Sequence, residues 1–401
     1  MKILQIHNYF KLYGGEDKVV ENERDLLEEN GDTVIPFYIH NKVIDQFNVF
    51  QKILFFFNFI SNRALLKSLF SIIKTHKPDV AHVHNIYPLI SGGVYEFLVK
   101  NGVPVVQTIH DNRLALLCPQ GNGYIHDHLC TKCYGGNFLN CVRSRCVRNS
   151  LPLSIIYALA LSLNRVKKIS IRNITKTIYL SDHMFNHLKS IGFQQNKMVK
   201  KPHFFPDSIE PTFRYEKYFV FLGAVSHHKG ILMLAETYKK IKTDYILKII
   251  GTGDCVEELK AIIKDHSNIE YIGFLSGMDR IDILKNAYCT ISPSVFFETF
   301  GMTVLESLSC AVPVIASNVG AFPELVLHGK TGLLFEPGDS LQLKERIEAL
   351  ISDPDLCRRL GKNGYDYYKS NFTKEINYSL LKGIYKDAIS ETNPRENSAS
   401  C

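Results

Sequence analysis

The chain has 401 residues, 45% of them hydrophobic and 22% charged. That composition excludes a disordered or collagen-like chain and gives length for two ordinary domains. The net charge of +7 conceals an asymmetry: residues 1–205 carry 25 basic and 14 acidic side chains, and the remainder 22 and 26. A basic half suits an anionic surface or ligand. No nucleic-acid-binding motif accompanies it, so nucleic acid is not an expected partner.

Met1–His7 reads as a first strand rather than a charged start with a cleavable apolar run, so secretion is not expected. Strands come next at Thr33–Tyr38, Val80–His84, Val103–His110 and Thr177–Leu180, with helices at Asp17–Glu29 and Gly93–Lys100. Between them, Phe50–Phe70 is apolar but interrupted by Lys52, Arg63 and Lys67. It is too short to span a bilayer and suits an interfacial helix on an anionic membrane or a helix packed on a sheet. His82 and His84 alternate along one strand, and the expectation is that one faces inward and the other outward.

Lys201–Asp207 holds two prolines and reads as a linker. A second series of strands runs Tyr218–Leu222, Tyr245–Ile250, Ile269–Ile272, Cys289–Ile291, Val314–Ala316 and Gly332–Phe335. Helices are expected at Leu232–Ile241, Val256–Ile263 and Leu341–Ile351, with a final one at Ile376–Ile389 and a loose tail beyond Ser390. Alternating strands and helices predict an α/β chain of two tandem Rossmann-like domains with a ligand cleft at the carboxyl ends of their strands. The expected domains are 1–204, with an inserted segment at 111–150, and 205–374; residues 375–401 form a last helix and tail.

Several loops after strands carry chemistry. Gly14-Gly15 lets backbone approach a phosphate or acceptor group, or makes a plain strand-to-helix turn. Lys229, beside Gly230, offers a point charge to a diphosphate. Gly251 sits in a tight turn after another strand, where main chain can approach a nucleotide, and Ile272 ends a further strand. Glu298 lies in a loop, and Glu306 lies about one turn inside the helix that begins after Gly301. Two carboxylates at different depths, beside the free N–H groups of Gly301, Met302 and Thr303, fit ribose hydroxyls, a diphosphate and sugar hydroxyls.

This stretch, Glu298-Thr299-Phe300-Gly301-Met302-Thr303-Val304-Leu305-Glu306, resembles the donor-binding signature of retaining GT-B glycosyltransferases of family 4. With Lys229, the Gly251 turn and Ile272, the resemblance covers residues 218–351 well and 1–200 more loosely. It implies that Glu306 binds ribose, that Glu298 binds the transferred sugar, and that Phe300 belongs to the nucleotide site. Lys229 would hold the diphosphate, and His110, ending a first-domain strand, would contact the sugar. It implies no catalytic metal and no cofactor beyond the nucleotide sugar, expected to be UDP-linked. The acceptor is expected to be a saccharide or a polyprenyl-diphosphate-linked saccharide in surface-polysaccharide assembly. The expected location is cytoplasmic, on the inner face of the plasma membrane. One departure stands out: Ala224 occupies the place where the family has an arginine.

Five cysteines fall in one segment, at 118, 130, 133, 141 and 146. Cys130-Thr131-Lys132-Cys133 is a common zinc half-site. Cys118, Cys130, Cys133 and Cys146 are the expected structural zinc ligands, with Cys141 left over; reduced thiols and a redox role are the other readings. Asp353-Pro354-Asp355 imitates a metal-binding pair but reads as a helix start. Two other functions remain open from the letters: a nucleotide-sugar epimerase and a non-catalytic nucleotide-sugar-binding protein.

Overall fold

In the computed structural model the first strand, Lys2–Tyr9 (β1), is buried at every position but Lys2. A strand covered on both faces reads as a continuous apolar run, and a parallel sheet clad in helices provides that covering. The residues described are 1–11, 14–48, 62–111, 124–125, 128–133, 136–167, 169–206 and 209–392. They divide into two compact units, Met1–Asn122 with Thr131–Pro202 and Lys374–Cys401, and Gly123–Cys130 with His203–Thr373.

The first unit continues from β1 with α1 (Gly15–Glu29), β2 (Thr33–His40), α2 (Arg63–His76), β3 (Val80–Val83), α3 (Gly93–Lys100) and β4 (Val105–Thr108). After a two-stranded ribbon, β5 (Tyr124–Ile125) with β6 (His128–Leu129), which groups with the second unit, come α4 (Leu151–Lys167), β7 (Lys176–Tyr179), α5 (Asp182–Ser190) and β8 (Met198–Lys200). Its sheet has the order β2-β1-β3-β4-β7-β8, with every pairing parallel. The strand β8 was not expected; it has three residues flanked by lysines, too short for a periodic signal.

The second unit runs β9 (Tyr218–Leu222), α6 (Ile231–Tyr238), β10 (Ile246–Ile250), α7 (Val256–Ile263), β11 (Ile269–Gly273), α8 (Gly277–Lys285) and β12 (Cys289–Ser292). It continues with α9 (Met302–Ser309), β13 (Val314–Ser317), β14 (Gly332–Phe335), α10 (Ser340–Ser352) and α11 (Pro354–Asn371). Its parallel sheet is ordered β11-β10-β9-β12-β13-β14. This is the doubly wound order in which strand direction of travel reverses between the first and fourth strands.

The last helix, α12 (Lys374–Thr392), belongs to the first unit. Leu381, Ile384, Tyr385 and Ala388 recur at helical spacing and pack on Ile3, Val80, Val106 and Ile178 of the sheet. Burying a leucine or isoleucine side chain in this way contributes about 1.5–3 kcal/mol. The opposite face of the sheet carries Leu4, Ile6, Ala81, Val83 and Val105, so successive strand residues fill two separate cores. The helix extends through Thr392, two residues beyond Ser390; residues 393–401 of the expected tail lie outside the described residues.

Asp353 caps α11 as the letters suggested: its Oδ1 accepts from Leu356 N at 2.9 Å, with Pro354 in the first turn. The apolar run Phe50–Ile60 lies outside the described residues, and α2 begins after it with the Asn62 side chain accepting from Leu65 N at 3.2 Å. No helix among the described residues is long and apolar enough to cross a membrane.

Candidate active site

In the second unit the order of strands reverses between β9 and β12, and the loops leaving these strands carry Lys229 and Glu298. Sixty-nine positions apart in sequence, Lys229 Nζ and Glu298 Oε1 lie 2.7 Å apart. Ser294 Oγ donates to the same carboxylate oxygen at 2.6 Å, and the ammonium sits 4.8 Å from the Phe296 ring centre. The two side chains keep 26% and 12% of their exposure, so the pair is accessible from solvent. His228, beside it, is kept neutral: burial lowers its pKa, and the Lys229 charge lowers it further.

The helix α9 starts at Gly301, where φ is +117° and a Cβ would lie 2.8 Å from the Phe322 ring. Only glycine takes that turn without strain. Met302 and Thr303 form the first turn, whose N–H groups have no intrahelical acceptor. One turn on, Glu306 is buried, with Arg280 Nη1 of α8 at 3.1 Å from its Oε2. Arg280 was not anticipated; no linear pattern links a residue of α8 to one of α9. Phe300 is buried, with its ring 5.0 Å from His203 and 6.4 Å from Phe372, so it offers a ligand only its main chain.

Gly251 is small for a local reason, since a Cβ there would lie 1.8 Å from Gly223 O. Two loops meet at that point. Ile272 is half-buried at the end of β11, and Ala224 is exposed, so no cation stands at the family's arginine place.

The first unit reverses strand order between β1 and β3. Gly14 N donates to Asp17 Oδ2 at 3.0 Å, and Asp17 Oδ1 lies 2.8 Å from His7 Nε2, which fixes the turn into α1. Gly15 is exposed, with open space around it. His110, two residues past β4, is buried, with Nε2 at 2.9 Å from His84 Nδ1.

His82 and His84 correct the expectation that they face opposite ways. Residues two apart on a strand share a face. Both rings are fully buried, 4.1 Å apart, and both reach Glu23 Oε1 of α1, at 2.8 and 3.5 Å. Lys201 Nζ completes the group at 3.0 Å from Glu23 Oε2. Burial alone would raise the Glu23 pKa, but Lys201 and the two imidazoles hold it well below the carboxylate range. Burial and the neighbouring His82 push His84 well below its ordinary value, so it is neutral. Glu23 had a readable signal: it is a charge on the buried stripe of α1 formed by Val19, Val20, Leu26 and Leu27.

Among the described residues, two sets of three donors lie close enough to share a cation, Glu23–His82–His84 and His227–Cys255–Glu258. In the first, the Lys201 ammonium already balances the carboxylate. Of the expected zinc ligands, Cys118 lies outside the described residues and Cys130 groups with the second unit. Cys133 shares a small apolar cluster with Cys141 and Cys146. A hydrogen bond from Cys141 lowers the Cys146 thiol to about 7, so the cysteine that seemed spare is the one engaged with Cys146.

Comparison with known proteins accords with this geometry. The model for glycosyltransferase family 4 matches residues 19–202, and that for glycosyl transferases group 1 matches residues 207–367. An uncharacterized glycosyltransferase of Methanocaldococcus jannaschii is 34% identical over 42% of this chain and 47% of its own length. The N-acetyl-alpha-D-glucosaminyl L-malate synthase of Bacillus anthracis is 21% identical over 88% of this chain and 84% of its own. The capsular polysaccharide biosynthesis glycosyltransferase CapM of Staphylococcus aureus is 27% identical over 52% and 57%. The chain thus spans about half the length of two of these three curated relatives. Among solved structures, Anabaena HepE in complex with UDP superposes with a TM-score of 0.68 at 16% identity, over 96% of this chain and 100% of that one. With both sheets doubly wound and each half matched by a glycosyltransferase model, the chain has the GT-B fold and carries a glycosyltransferase family 4 domain followed by a glycosyl transferases group 1 domain.

Proposed function

We propose that this chain is a retaining glycosyltransferase that needs no metal for catalysis and moves a sugar from a UDP-sugar to a saccharide or polyprenyl-diphosphate-linked saccharide in surface-polysaccharide assembly. The carrying observation is the meeting of Lys229 and Glu298 at the strand-order reversal of the second unit. Without a donor the two charges satisfy each other. A diphosphate would take over the ammonium, and the hydroxyls of the transferred sugar would donate to the released carboxylate.

Glu306 binds the ribose hydroxyls, with Gly301, Met302 and Thr303 presenting N–H groups to the diphosphate. Gly251 and Ile272 face the nucleoside through main chain, and Gly14 and Gly15 line the acceptor side. His110 hydrogen-bonds the transferred sugar. The acceptor attacks on the face from which the nucleotide leaves, and a donor phosphate oxygen takes its proton. UDP bound in HepE supports the donor class, and the likeness to CapM, a capsular polysaccharide biosynthesis glycosyltransferase, supports the place in surface-polysaccharide assembly. The basic first half of the chain supports contact with the anionic inner face of the plasma membrane.

The test is melting temperature against UDP, GDP, ADP and their sugars for the wild type and Glu306→Ala. A ligand at 100 times its Kd adds about 2.7 kcal/mol of stability. We expect a shift with uridine ligands that Glu306→Ala abolishes. An equal shift in the variant would remove Glu306 from the ribose.

Ala224 favours a second reading, a binding protein without turnover. In that case nucleotide would bind and no free UDP would ever appear. Structural zinc on Cys118, Cys130, Cys133 and Cys146 is part of the proposal, supported by the Cys130–Cys133 spacing and by the packing of Cys146 against the cluster that holds Cys133. Protein purified without a histidine tag should carry close to one zinc per chain; metal-free protein would rule it out.

A further inference from the structure

Residues 128–181 contain nine Lys and Arg and no Asp or Glu, although residues 1–205 hold 14 acidic side chains. So long a stretch without a carboxylate concentrates the positive charge of the first half in one place.

The same stretch carries an apolar surface. The helix α4 has 17 residues and no charge before Arg165. Ser154, Ala158 and Leu161 turn inward, and the last two pack with Phe138, Cys141 and Val147. Leu151, Ile155 and Leu159, spaced by four, lie along another face and are 38–50% exposed. Leu139, on the short helix Leu139–Arg143 that precedes α4, is 64% exposed. A helix apolar on its outer face as well as its inner one belongs in a core or at a membrane, and here the outer face meets solvent.

Cations flank that face. Lys132, Arg143, Arg145 and Arg148 are all exposed. Arg145 and Arg148 take left-handed backbone, with φ of +46° and +51°, which strains a bulky residue. Their turn is tied down from within: Cys146 N donates to Cys141 O and Val147 N to Ser154 Oγ, both at 3.1 Å. Cys146 and Val147 join the apolar cluster beneath, so the arginines on either side of them stay at the surface.

We propose that Leu139 and the Leu151–Ile155–Leu159 stripe are a membrane-docking surface, seated among the headgroups of an anionic bilayer whose phosphates the flanking arginines neutralise. Charge complementarity selects this occupant. Nine cations with no anion among them suit a uniformly negative surface, whereas a second copy laid face to face would set one basic cluster against another. The inference rests on the membrane contact proposed above and places it on residues outside the Phe50–Phe70 run.

Flotation of the full chain with vesicles tests it, phosphatidylcholine alone against phosphatidylcholine mixed with phosphatidylglycerol. The wild type should float with the mixed vesicles and stay behind with the neutral ones. Ile155→Gln with Leu159→Gln should lower the partition about 10-fold, and Arg145→Gln with Arg148→Gln about 30-fold at low salt. All four side chains are exposed, so both variants should keep a cooperative melt and the wild-type melting shift with UDP. Folded variants that float like the wild type overturn the docking surface and leave membrane contact to other residues. A wild type indifferent to phosphatidylglycerol overturns the contact itself, and an intact UDP shift would show that the donor reading survives it. A wild-type dimer that Ile155→Gln with Leu159→Gln splits, with flotation unchanged, would make the occupant a second copy and overturn the proposal.

Discussion

The two sheets share a doubly wound topology and both gather charge where strand order reverses, but they treat that charge in opposite ways. In the second unit the charges stand in separate pairs, Lys229 with Glu298 and Arg280 with Glu306, each cation about one-quarter exposed. In the first unit Glu23, Lys201, His82 and His84 form one group with side chains no more than 2% exposed. A pair whose cation reaches solvent can trade a partner for a ligand, because water covers the difference. A buried group cannot, because each member is the only neutralisation its neighbour has. The first arrangement suits a site that binds and releases an anion, and the second suits a fixed part of the scaffold.

The sharpest way to break this contrast is to remove one lysine from each unit. Lys201→Met leaves Glu23 ionised and unpaired in the core, and should cost about 3–5 kcal/mol. Lys229→Met removes an exposed partner and should cost about 1 kcal/mol or less. Urea denaturation of both variants measures the difference. Equal losses would mean that the first-unit group is hydrated and the contrast false.

Acid sharpens it next. His84 stays neutral in the fold but takes a proton near pH 6.5 once unfolded. Below that pH the unfolded chain therefore binds a proton that the fold refuses, and stability falls by about 1.4 kcal/mol per pH unit for such a group. His7, lowered by burial against the opposing pull of Asp17, adds to the same trend. Glu23 responds at lower pH: its contribution is present above its ordinary value of 4.5 and is lost as pH falls through the depressed value in the fold. Around His84 the charged and titratable groups are Glu23, His82, His110 and His7. Stability measured from pH 7 to 5 should fall less steeply in His84→Leu, by roughly one proton's worth. An unchanged slope would show that His84 titrates normally in the fold.

The sequence made the second unit easier to read than the first. Tyr218–Leu222 and Gly332–Phe335 coincide with β9 and β14, because short apolar runs bounded by turn residues mark buried parallel strands. Lys229, Glu298 and Glu306 were legible because each sits at a fixed offset from a strand end or a helix start. Their partners were not: Arg280 and Ser294 reach them through folding, and no spacing along the chain records it. The first-unit group was missed for two reasons. Lys201 sits in a proline-containing stretch that resembles a surface linker, yet it is fully buried. His82 and His84 were expected on opposite faces, when a period of two puts them on one.

The smallest predicted effect separates a helix cap from a metal site. Asp353 and Asp355 look alike in sequence, but each carboxylate is occupied. Asp353 accepts from Leu356 N at 2.9 Å, and Asp355 receives Arg358 Nη1 at 3.0 Å. A cap of this kind contributes about 1 kcal/mol, so Asp353→Ala should lower stability by that amount. The melting shift with UDP should be unchanged, with magnesium or with EDTA. A shift that depends on magnesium in the wild type and vanishes in Asp353→Ala would make the pair a metal site. It would also move the neutralisation of the departing diphosphate away from Lys229, and with it the distinction drawn between the two units.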